Sequence, residues 1–191
     1  MTTELAPGSV GNSGPWFVIG DNPGERTIDM QMLGLEPLLD EAKGATILDV
    51  GCAEGLISFE LAKAGAHVHG IDSIEALIET AKRLRGNLSC SFEVADAVVY
   101  EPEQYDIVLL LSILHKCRHP SAVCSRFAKA ARDLLIIRMP PEKAPVIVNK
   151  RTRNIPHDMK AVMAWYGFEL ERVTRSAFAE WVGYFRRKKR V

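Results

Sequence analysis

The chain lacks the long apolar stretch that a membrane-spanning helix needs. Its 191 residues are 47% hydrophobic and 25% charged, yet no apolar run approaches the ~18–20 residues that cross a bilayer. The first nine residues have no basic segment and no hydrophobic core, so they do not resemble a signal peptide. The four cysteines lie in apolar or helical contexts, which favours reduced thiols. We therefore expect a cytoplasmic protein without a membrane partner.

Net charge is also missing, but the balance hides a division of the chain into two halves. Residues 1–117 contain 7 Lys and Arg against 18 Asp and Glu, whereas residues 118–191 contain 17 against 6. A basic half of this kind favours an anionic substrate or partner. The alternative is that the second half carries solvated lysines and arginines without a specific role.

The stretch Thr46–Gly55 predicts a buried strand followed by a glycine turn, and residues 56–64 continue with helical spacing. The G-x-G-x-x-G pattern of dinucleotide sites is absent, because Gly51 and Gly55 are separated by three other residues. An acid, Asp49, precedes the turn, which disfavours a polyanionic ligand. The arrangement instead suits a cationic cofactor that carries a free amine.

Further acidic residues follow the next predicted strands. Asp72 closes a strand over 66–72, about twenty residues beyond the glycine turn, where an acid binds ribose hydroxyls in nucleotide-binding α/β folds. A capping role for Asp72 at the following helix is the alternative. Asp96 follows a strand over 89–95, and the apolar run 105–112 predicts a central parallel strand that ends in Ser112.

The run Asp49-Val-Gly-Cys-Ala-Glu-Gly55 resembles the D-x-G-x-G-x-G signature of class I S-adenosylmethionine (SAM) methyltransferases, with Ala53 in place of the middle glycine. The order of predicted elements over residues 45–187 is similar to that family too. The resemblance implies a Rossmann-like α/β fold, with a mostly parallel seven-stranded sheet and a C-terminal antiparallel hairpin. An ordinary strand–turn–helix unit of another α/β protein is the alternative.

The resemblance implies SAM as cofactor, S-adenosylhomocysteine (SAH) as product, and a set of binding residues. The glycine turn would hold the methionine part, an acid and its neighbour the ribose, and a second such pair the adenine, while a serine would face the reacting centre. These residues are Asp49, Gly51, Cys52, Ala53 and Gly55; Asp72 and Ser73; Asp96 and Ala97; and Ser112.

His115 is the candidate general base, since it follows the fourth strand near the expected position of the methyl group and the pKa of a histidine suits neutral pH. A structural histidine that shapes the loop is the alternative. His115, Cys117, His119 and Cys124 also form a His/Cys cluster in the sequence, but their spacing matches no known zinc pattern. We therefore expect no metal site.

The segment Leu111–Pro120 and the arm around Trp16 are similar to methyltransferases related to the wobble-uridine tRNA carboxymethyltransferases. We expect no counterpart of the extra N-terminal domain of the tRNA enzymes, so tRNA need not be the acceptor. The chain also has no Asn/Asp-Pro-Pro-Tyr after the fourth strand and no Pro-Cys nucleophile. The first absence argues against methylation of an adenine or glutamine nitrogen by enzymes that use this motif. The second argues against methylation at cytosine C5.

Residues 1–28 are predicted to form an arm, flexible over the first fifteen residues, which acts either as a lid over the site or as a hydrophobic anchor. A single domain over 29–191 follows. It is expected to start with a helix over 30–42, capped by Asp29 and burying Leu33, although Pro37 interrupts the pattern. The remaining predictions are helices over 74–84, 121–131 and 157–166, strands over 133–138, 168–174 and 181–186, and a basic loop over 140–156.

Together these features predict a SAM-dependent methyltransferase that acts on a small molecule, with an anionic acceptor favoured. One alternative is an RNA or tRNA methyltransferase that uses the basic half. Another is a catalytically silent SAM-fold subunit of a partner protein. A carboxylated SAM derivative as cofactor would need an arginine near the sulfonium, for which Arg26 and Arg138 are candidates. The sequence indicates no oligomeric state.

Overall fold

The computed structural model describes residues 15–140 and 163–189. Its centre is a seven-stranded sheet. The strands are β1 Thr46–Val50, β2 His67–Asp72, β3 Cys90–Val94, β4 Tyr105–Leu111, β5 Ala131–Met139, β6 Phe168–Arg175 and β7 Trp181–Arg187. Their order in the sheet is β3-β2-β1-β4-β5-β7-β6. All neighbouring strands pair in parallel except β7, which runs antiparallel to both β5 and β6. The predicted fold class, a mostly parallel sheet that ends in an antiparallel hairpin, is confirmed.

The two faces of the sheet bury separate apolar clusters, because side chains alternate along each strand. Ile47 of β1 faces the cluster that includes the first helices, and its neighbour Leu48 faces the cluster that includes the helix after β4. The central strands are apolar on both faces, as expected for parallel strands covered by helices. The helices are α1 Ile28–Met32, α2 Glu36–Ala42, α3 Leu56–Lys63, α4 Glu75–Leu84 and α5 Pro120–Ala130.

The prediction of a single helix over residues 30–42 is wrong, because the structure has two helices there, α1 and α2. The break occurs at Gly34, which has a left-handed φ of 83° and whose carbonyl accepts bonds from Thr174 Oγ1 and Tyr184 Oη, both at 2.7 Å. Contacts with the terminal hairpin therefore hold the chain in a turn, and Pro37 lies in the first turn of α2, where it is tolerated.

Two details of that prediction also need correction. The cap of α1 is Thr27, whose hydroxyl accepts a bond from the Met30 amide, rather than Asp29. Leu33 is 46% exposed, because it lies in the break between the helices instead of on a continuous buried stripe.

The other elements match the predicted ones to within about two residues, with β5 following α5 directly. A short 3-10 turn, Leu114–Lys116, lies in the loop after β4. Of the helix predicted over 157–166, residues 163–165 are helical. Residue 166 lies in a turn. Residues 157–162 of that helix, most of the basic loop over 140–156 and the first fourteen residues of the arm lie outside the described residues.

The fold brings the predicted binding residues to one edge. Parallel strands β1 to β4 all end at the same side of the sheet, and Gly51, Asp72, Asp96 and Ser112 lie at or just beyond those ends. Ligands of open α/β sheets bind at this carboxyl edge. None of the described helices is long and apolar enough to cross a membrane.

Candidate active site

The turn between β1 and α3 is held in an unusual backbone conformation. Gly51 and Gly55 have left-handed φ values of 76° and 86°, and the amides of Gly51 and Cys52 both donate to the carbonyl of Ile71. A Cβ on Gly55 would lie 2.9 Å from the ring of Phe92. The glycines therefore let the turn pack against β2 and β3 while the backbone of Gly51 stays exposed at the sheet edge.

Ala53 occupies the position of the missing middle glycine and keeps a left-handed φ of 49°. The carboxylate of Asp72 offsets that strain, because its Oδ2 accepts a bond from the Ala53 amide at 3.0 Å. The side chain of Cys52 points into the apolar core and is 4% exposed. Of Cys52, only the backbone is therefore placed to line a binding site.

Asp49 is buried at the end of β1, where it is 2% exposed. Its Oδ2 accepts a bond from the Ser58 hydroxyl at 2.7 Å. Burial raises the pKa of this carboxyl to about 6, a shift that the Ser58 bond and the charge of Arg138 oppose. A cation close to a buried carboxylate stabilises its ionised form. This agrees with the cationic cofactor that the motif predicts.

The raised pKa of Asp49 makes the stability of the free protein depend on pH. The folded state holds this proton more tightly than the unfolded chain, so stability falls as pH rises from about 4 to about 6. The penalty above that range is about 3 kcal/mol at most. We expect Asp49→Asn to stabilise the free protein at pH 8 and to have little effect at pH 4, as measured by urea unfolding.

Asp40→Asn is the matched control, because Asp40 is exposed on α2. Its effect on the free energy of unfolding should be small at both pH values. An Asp49→Asn effect of equal size at pH 4 and pH 8 would contradict the assignment of the raised pKa.

Asp72 lies at the end of β2 with both carboxylate oxygens engaged. Oδ2 binds the Ala53 amide and Oδ1 accepts from the Ile74 amide at 3.0 Å. The second bond closes a turn ahead of α4, whose N-cap is Ile74 and has no side-chain cap bond, so the capping role considered for Asp72 is not observed. Each oxygen still has a free lone pair, so these backbone bonds and the binding of two hydroxyl groups are compatible. Ser73 is exposed beside it.

Asp96 is exposed just beyond β3. Its Oδ1 accepts a bond from the Val98 amide at 2.8 Å, which fixes the carboxylate at the sheet edge. The carbonyl of Ala97 accepts a bond from Arg126. Both residues lie where the adenine contacts were predicted, next in line after Asp72.

Ser112 follows β4 with a left-handed φ of 56°, which is rare for a residue other than glycine. Its hydroxyl donates to Glu180 Oε1 at 2.8 Å and accepts from Arg138 Nε at 3.0 Å. Arg138 is 3% exposed and also donates to the backbone and side chain of Gln31. Ser112 thus belongs to a buried polar network that sequence reasoning missed, since its members come from α1, β5 and the β6–β7 turn.

His115 lies in the 3-10 turn after β4, and its buried Nδ1 has no hydrogen-bond partner within residues 15–140 and 163–189. Burial lowers the pKa of the imidazole to about 4, and the neighbouring Lys116 contributes to that shift. The expectation that its pKa suits neutral pH needs correction. The imidazole is neutral at pH 7 and can accept a proton, but it is a weak base.

The arm contacts the cofactor turn directly. The Trp16 amide donates to Glu54 Oε1, and Phe17 packs against Ala53, Leu56 and Leu77. Glu54 has no exposed surface, its Oε2 has no partner among the described residues, and burial raises its pKa. Sequence reasoning missed the role of Glu54, because an acid inside a glycine turn carries no signal of its own.

No group of three or more His, Cys, Asp or Glu side chains that could hold a metal ion occurs in the described part of the chain. Cys124 is fully buried in the core below the loop, and His119 is exposed. The four residues of the considered zinc cluster are therefore not brought together.

A methyltransferase domain family model matches residues 41–175, which is more than half of the chain. The chain belongs to this methyltransferase family. Membership confirms the predicted enzyme class and agrees with the predicted SAM cofactor. The match covers the glycine turn, the acids at the sheet edge and β6, the first strand of the terminal hairpin.

Curated relatives of this methyltransferase domain include two enzymes named for small acceptors. The magnesium-protoporphyrin O-methyltransferase of Rhodobacter capsulatus is 28% identical over 166 residues, which are 78% of this chain and 73% of that protein. The ubiquinone biosynthesis O-methyltransferase of Hahella chejuensis is 36% identical over 102 residues, which are 48% of this chain. The matched part spans 42% of the length of the Hahella enzyme.

Solved structures of methyltransferases share the fold. The SAH complex of the magnesium protoporphyrin IX methyltransferase from Synechocystis PCC 6803 aligns with a TM-score of 0.70 at 22% identity, covering 84% of each chain. A TehB-like SAM-dependent methyltransferase from Corynebacterium glutamicum aligns with a TM-score of 0.62 at 20% identity, covering 87% of this chain and 90% of that one. At these identities the likeness establishes the fold.

Proposed function

We propose that this chain binds SAM and transfers its methyl group to a small-molecule acceptor. The observation that supports this most directly is the alignment of the glycine turn, Asp72, Asp96 and Ser112 along one carboxyl edge of the sheet. The names of the Rhodobacter and Hahella relatives favour a small acceptor and an oxygen nucleophile. The particular acceptor is a separate question, which screening must answer.

The chain's own residues fit this cofactor. The exposed backbone of Gly51 and the buried carboxylate of Asp49 would hold the methionine end, where a Cβ on Gly51 would crowd Ile113 at 3.1 Å. Asp72 would accept bonds from the ribose hydroxyls, and Asp96 with Ala97 would meet the adenine. When bound, SAM supplies an activated methyl group, so the protein's contribution is position, orientation and removal of water.

His115 is the candidate base for an acceptor that carries a proton. The imidazole is neutral at pH 7 and its Nδ1 is unbonded within the described residues, so it can receive a proton. Its low pKa makes it effective only if proton transfer accompanies methyl transfer, because a weak base cannot hold the proton beforehand. An acceptor that is already deprotonated would need no base.

The arm is proposed to act as a lid, of which residues 15–28 are described. Trp16 and Phe17 contact the cofactor turn through Glu54 and Ala53. Because these contacts tie the arm to the turn itself, binding at the turn and closure of the arm should be coupled. Exclusion of water from the site would be the result.

The nucleic-acid alternative draws less support from the described residues. Five of the eleven described Lys and Arg side chains of the second half pair with acidic side chains, which reduces the positive charge available to nucleic-acid phosphates. The pairs are Arg126 with Glu101, Arg132 with Asp106, Arg138 with Glu180, Lys188 with Glu169, and Arg186 with Glu41, Asp133 and Glu171.

Isothermal calorimetry with SAM and SAH tests the proposal. We expect the wild-type protein to bind both, with affinities in the micromolar range, about −8 kcal/mol. If neither SAM nor SAH binds, the proposal is refuted and a silent partner subunit is favoured.

Once an acceptor is found, His115→Gln tests the role of the imidazole. If His115 is the base, the variant should lower kcat by roughly 10²-fold or more and leave the affinity for SAH unchanged.

A further inference from the structure

Two cationic side chains converge on the ring of Trp16. The guanidinium carbon of Arg26 lies 5.3 Å from the ring centroid, and Lys116 Nζ lies 5.4 Å from the same centroid. Arg26 also lies 5.1 Å from the ring of Phe178, in the turn between β6 and β7. The arm, the loop after β4 and the terminal hairpin thus place two positive charges against one ring.

Neither cation has an acidic partner in the described part of the chain. No carboxylate oxygen of the described residues lies within 4 Å of a charged nitrogen of Arg26 or Lys116. Described carboxylates do pair with Arg126, Arg138 and Arg186. Partial desolvation lowers the pKa of Lys116, although the residue as a whole keeps exposed surface, and repulsion from the like charge of Arg26 adds to that shift. A contact with an aromatic ring offsets only about 0.5–1 kcal/mol of such a cost.

The position of the pair connects it to the candidate active site. Trp16 is bonded through its amide to Glu54 in the cofactor turn, and Lys116 directly follows His115. The charges of Asp72 and Glu180 raise the pKa of Lys116 and so oppose its downward shift. The pair therefore lies near the carboxyl edge of the sheet. An anion placed between Arg26 and Lys116 would relieve their repulsion at the mouth of that site.

We propose that Arg26 and Lys116 together bind one carboxylate group at the mouth of the methyl-transfer site. The inference rests on the proposed function, under which two carboxylates could reach this point if the acceptor carries one. One is the methionine carboxylate of the cofactor, and the other is a carboxylate on the acceptor. A guanidinium and an ammonium beside one carboxylate form charge-assisted hydrogen bonds, which are stronger than neutral ones.

The cofactor source is tested with two nucleosides that differ in the methionine part. SAH carries the carboxylate, whereas 5′-methylthioadenosine lacks the whole amino-acid group. Calorimetry would compare wild type with Arg26→Met and Lys116→Met, and with Arg83→Met on the exposed face of α4 as control. A cofactor carboxylate predicts a roughly 10-fold or greater loss of SAH affinity in both site variants and unchanged methylthioadenosine affinity.

The acceptor source is tested with benzoate and its uncharged analogue benzamide, added to the SAH complex and followed by ligand-observed NMR. An acceptor carboxylate predicts that wild type binds benzoate more tightly than benzamide and that both site variants lose this preference, while their SAH affinity stays unchanged. Arg26→Lys keeps the charge and should retain most of whichever effect is found. It also separates loss of charge from a failure of Arg26→Met to fold.

The outcomes separate the two proposals. If wild type binds SAH and neither the nucleoside pair nor the benzoate pair distinguishes it from the site variants, the carboxylate site is refuted and the proposed function stands. If wild type binds neither nucleoside, the proposed function fails. The carboxylate site is then judged on the free protein, and a benzoate preference that Arg26→Met and Lys116→Met do not reduce refutes it.

Discussion

Asp72→Ala is expected to reduce the affinity for SAH by about 100-fold or more. The variant would lack the two charge-assisted hydrogen bonds between the Asp72 carboxylate and the ribose hydroxyls, each worth about 1.5–3 kcal/mol. It would also release the amides of Ala53 and Ile74, which loosens the cofactor turn and the start of α4. Calorimetry with SAH measures the affinity, and urea unfolding measures the accompanying loss of stability.

Asp106→Ala is the matched control for this loss of stability. Asp106 also accepts a backbone bond, from the Thr46 amide at 2.9 Å, and a hydroxyl bond from the same residue. It lies at the amino ends of β1 and β4, at the opposite edge of the sheet from the candidate site. We expect Asp106→Ala to destabilise the fold but to leave SAH affinity intact. Equal affinities for Asp72→Ala and Asp106→Ala would remove Asp72 from the site.

The part of the fold that the sequence could predict depends on local pattern. The apolar run over β4 and the acid that ends β2 are signals confined to a few neighbouring residues, so they can be read without tertiary information. Parallel strands then require their ends to meet at one edge, which places Asp72 and Asp96 beside the glycine turn. The sheet order and the terminal hairpin followed from the resemblance rather than from any single residue.

The misplaced features depend on contacts between distant segments. The break at Gly34 arises because the terminal hairpin donates two hydrogen bonds to the Gly34 carbonyl. The residues next to Gly34 in the sequence do not predict these bonds. The pKa of His115 is low because the loop buries the ring beside Lys116, which a sequence cannot reveal. Arg26, Lys116 and Trp16 likewise meet only in the folded chain.

The buried network around Arg138 is a further consequence of tertiary packing, and it joins three parts of the candidate site. Arg138 Nε lies 3.4 Å from Glu180 Oε2, and the two side chains are 4% and 12% exposed. Burial lowers the pKa of Arg138, and the charge of Glu180 opposes that shift. Because water cannot solvate the guanidinium, its stability in the fold depends on the carboxylate and on the oxygens of Gln31 and Ser112.

Glu180→Gln should therefore destabilise the protein by about 3–5 kcal/mol, since it leaves the buried charge of Arg138 without a carboxylate. The same substitution at Glu169, whose partner Lys188 is 4.0 Å away and 58% exposed, should change stability by less than about 1 kcal/mol. Urea unfolding at pH 7 measures both. The double variant Arg138→Met/Glu180→Leu removes both charges and should recover much of the loss. A small effect of Glu180→Gln, similar to that of Glu169→Gln, would show that the pair is not essential to the fold.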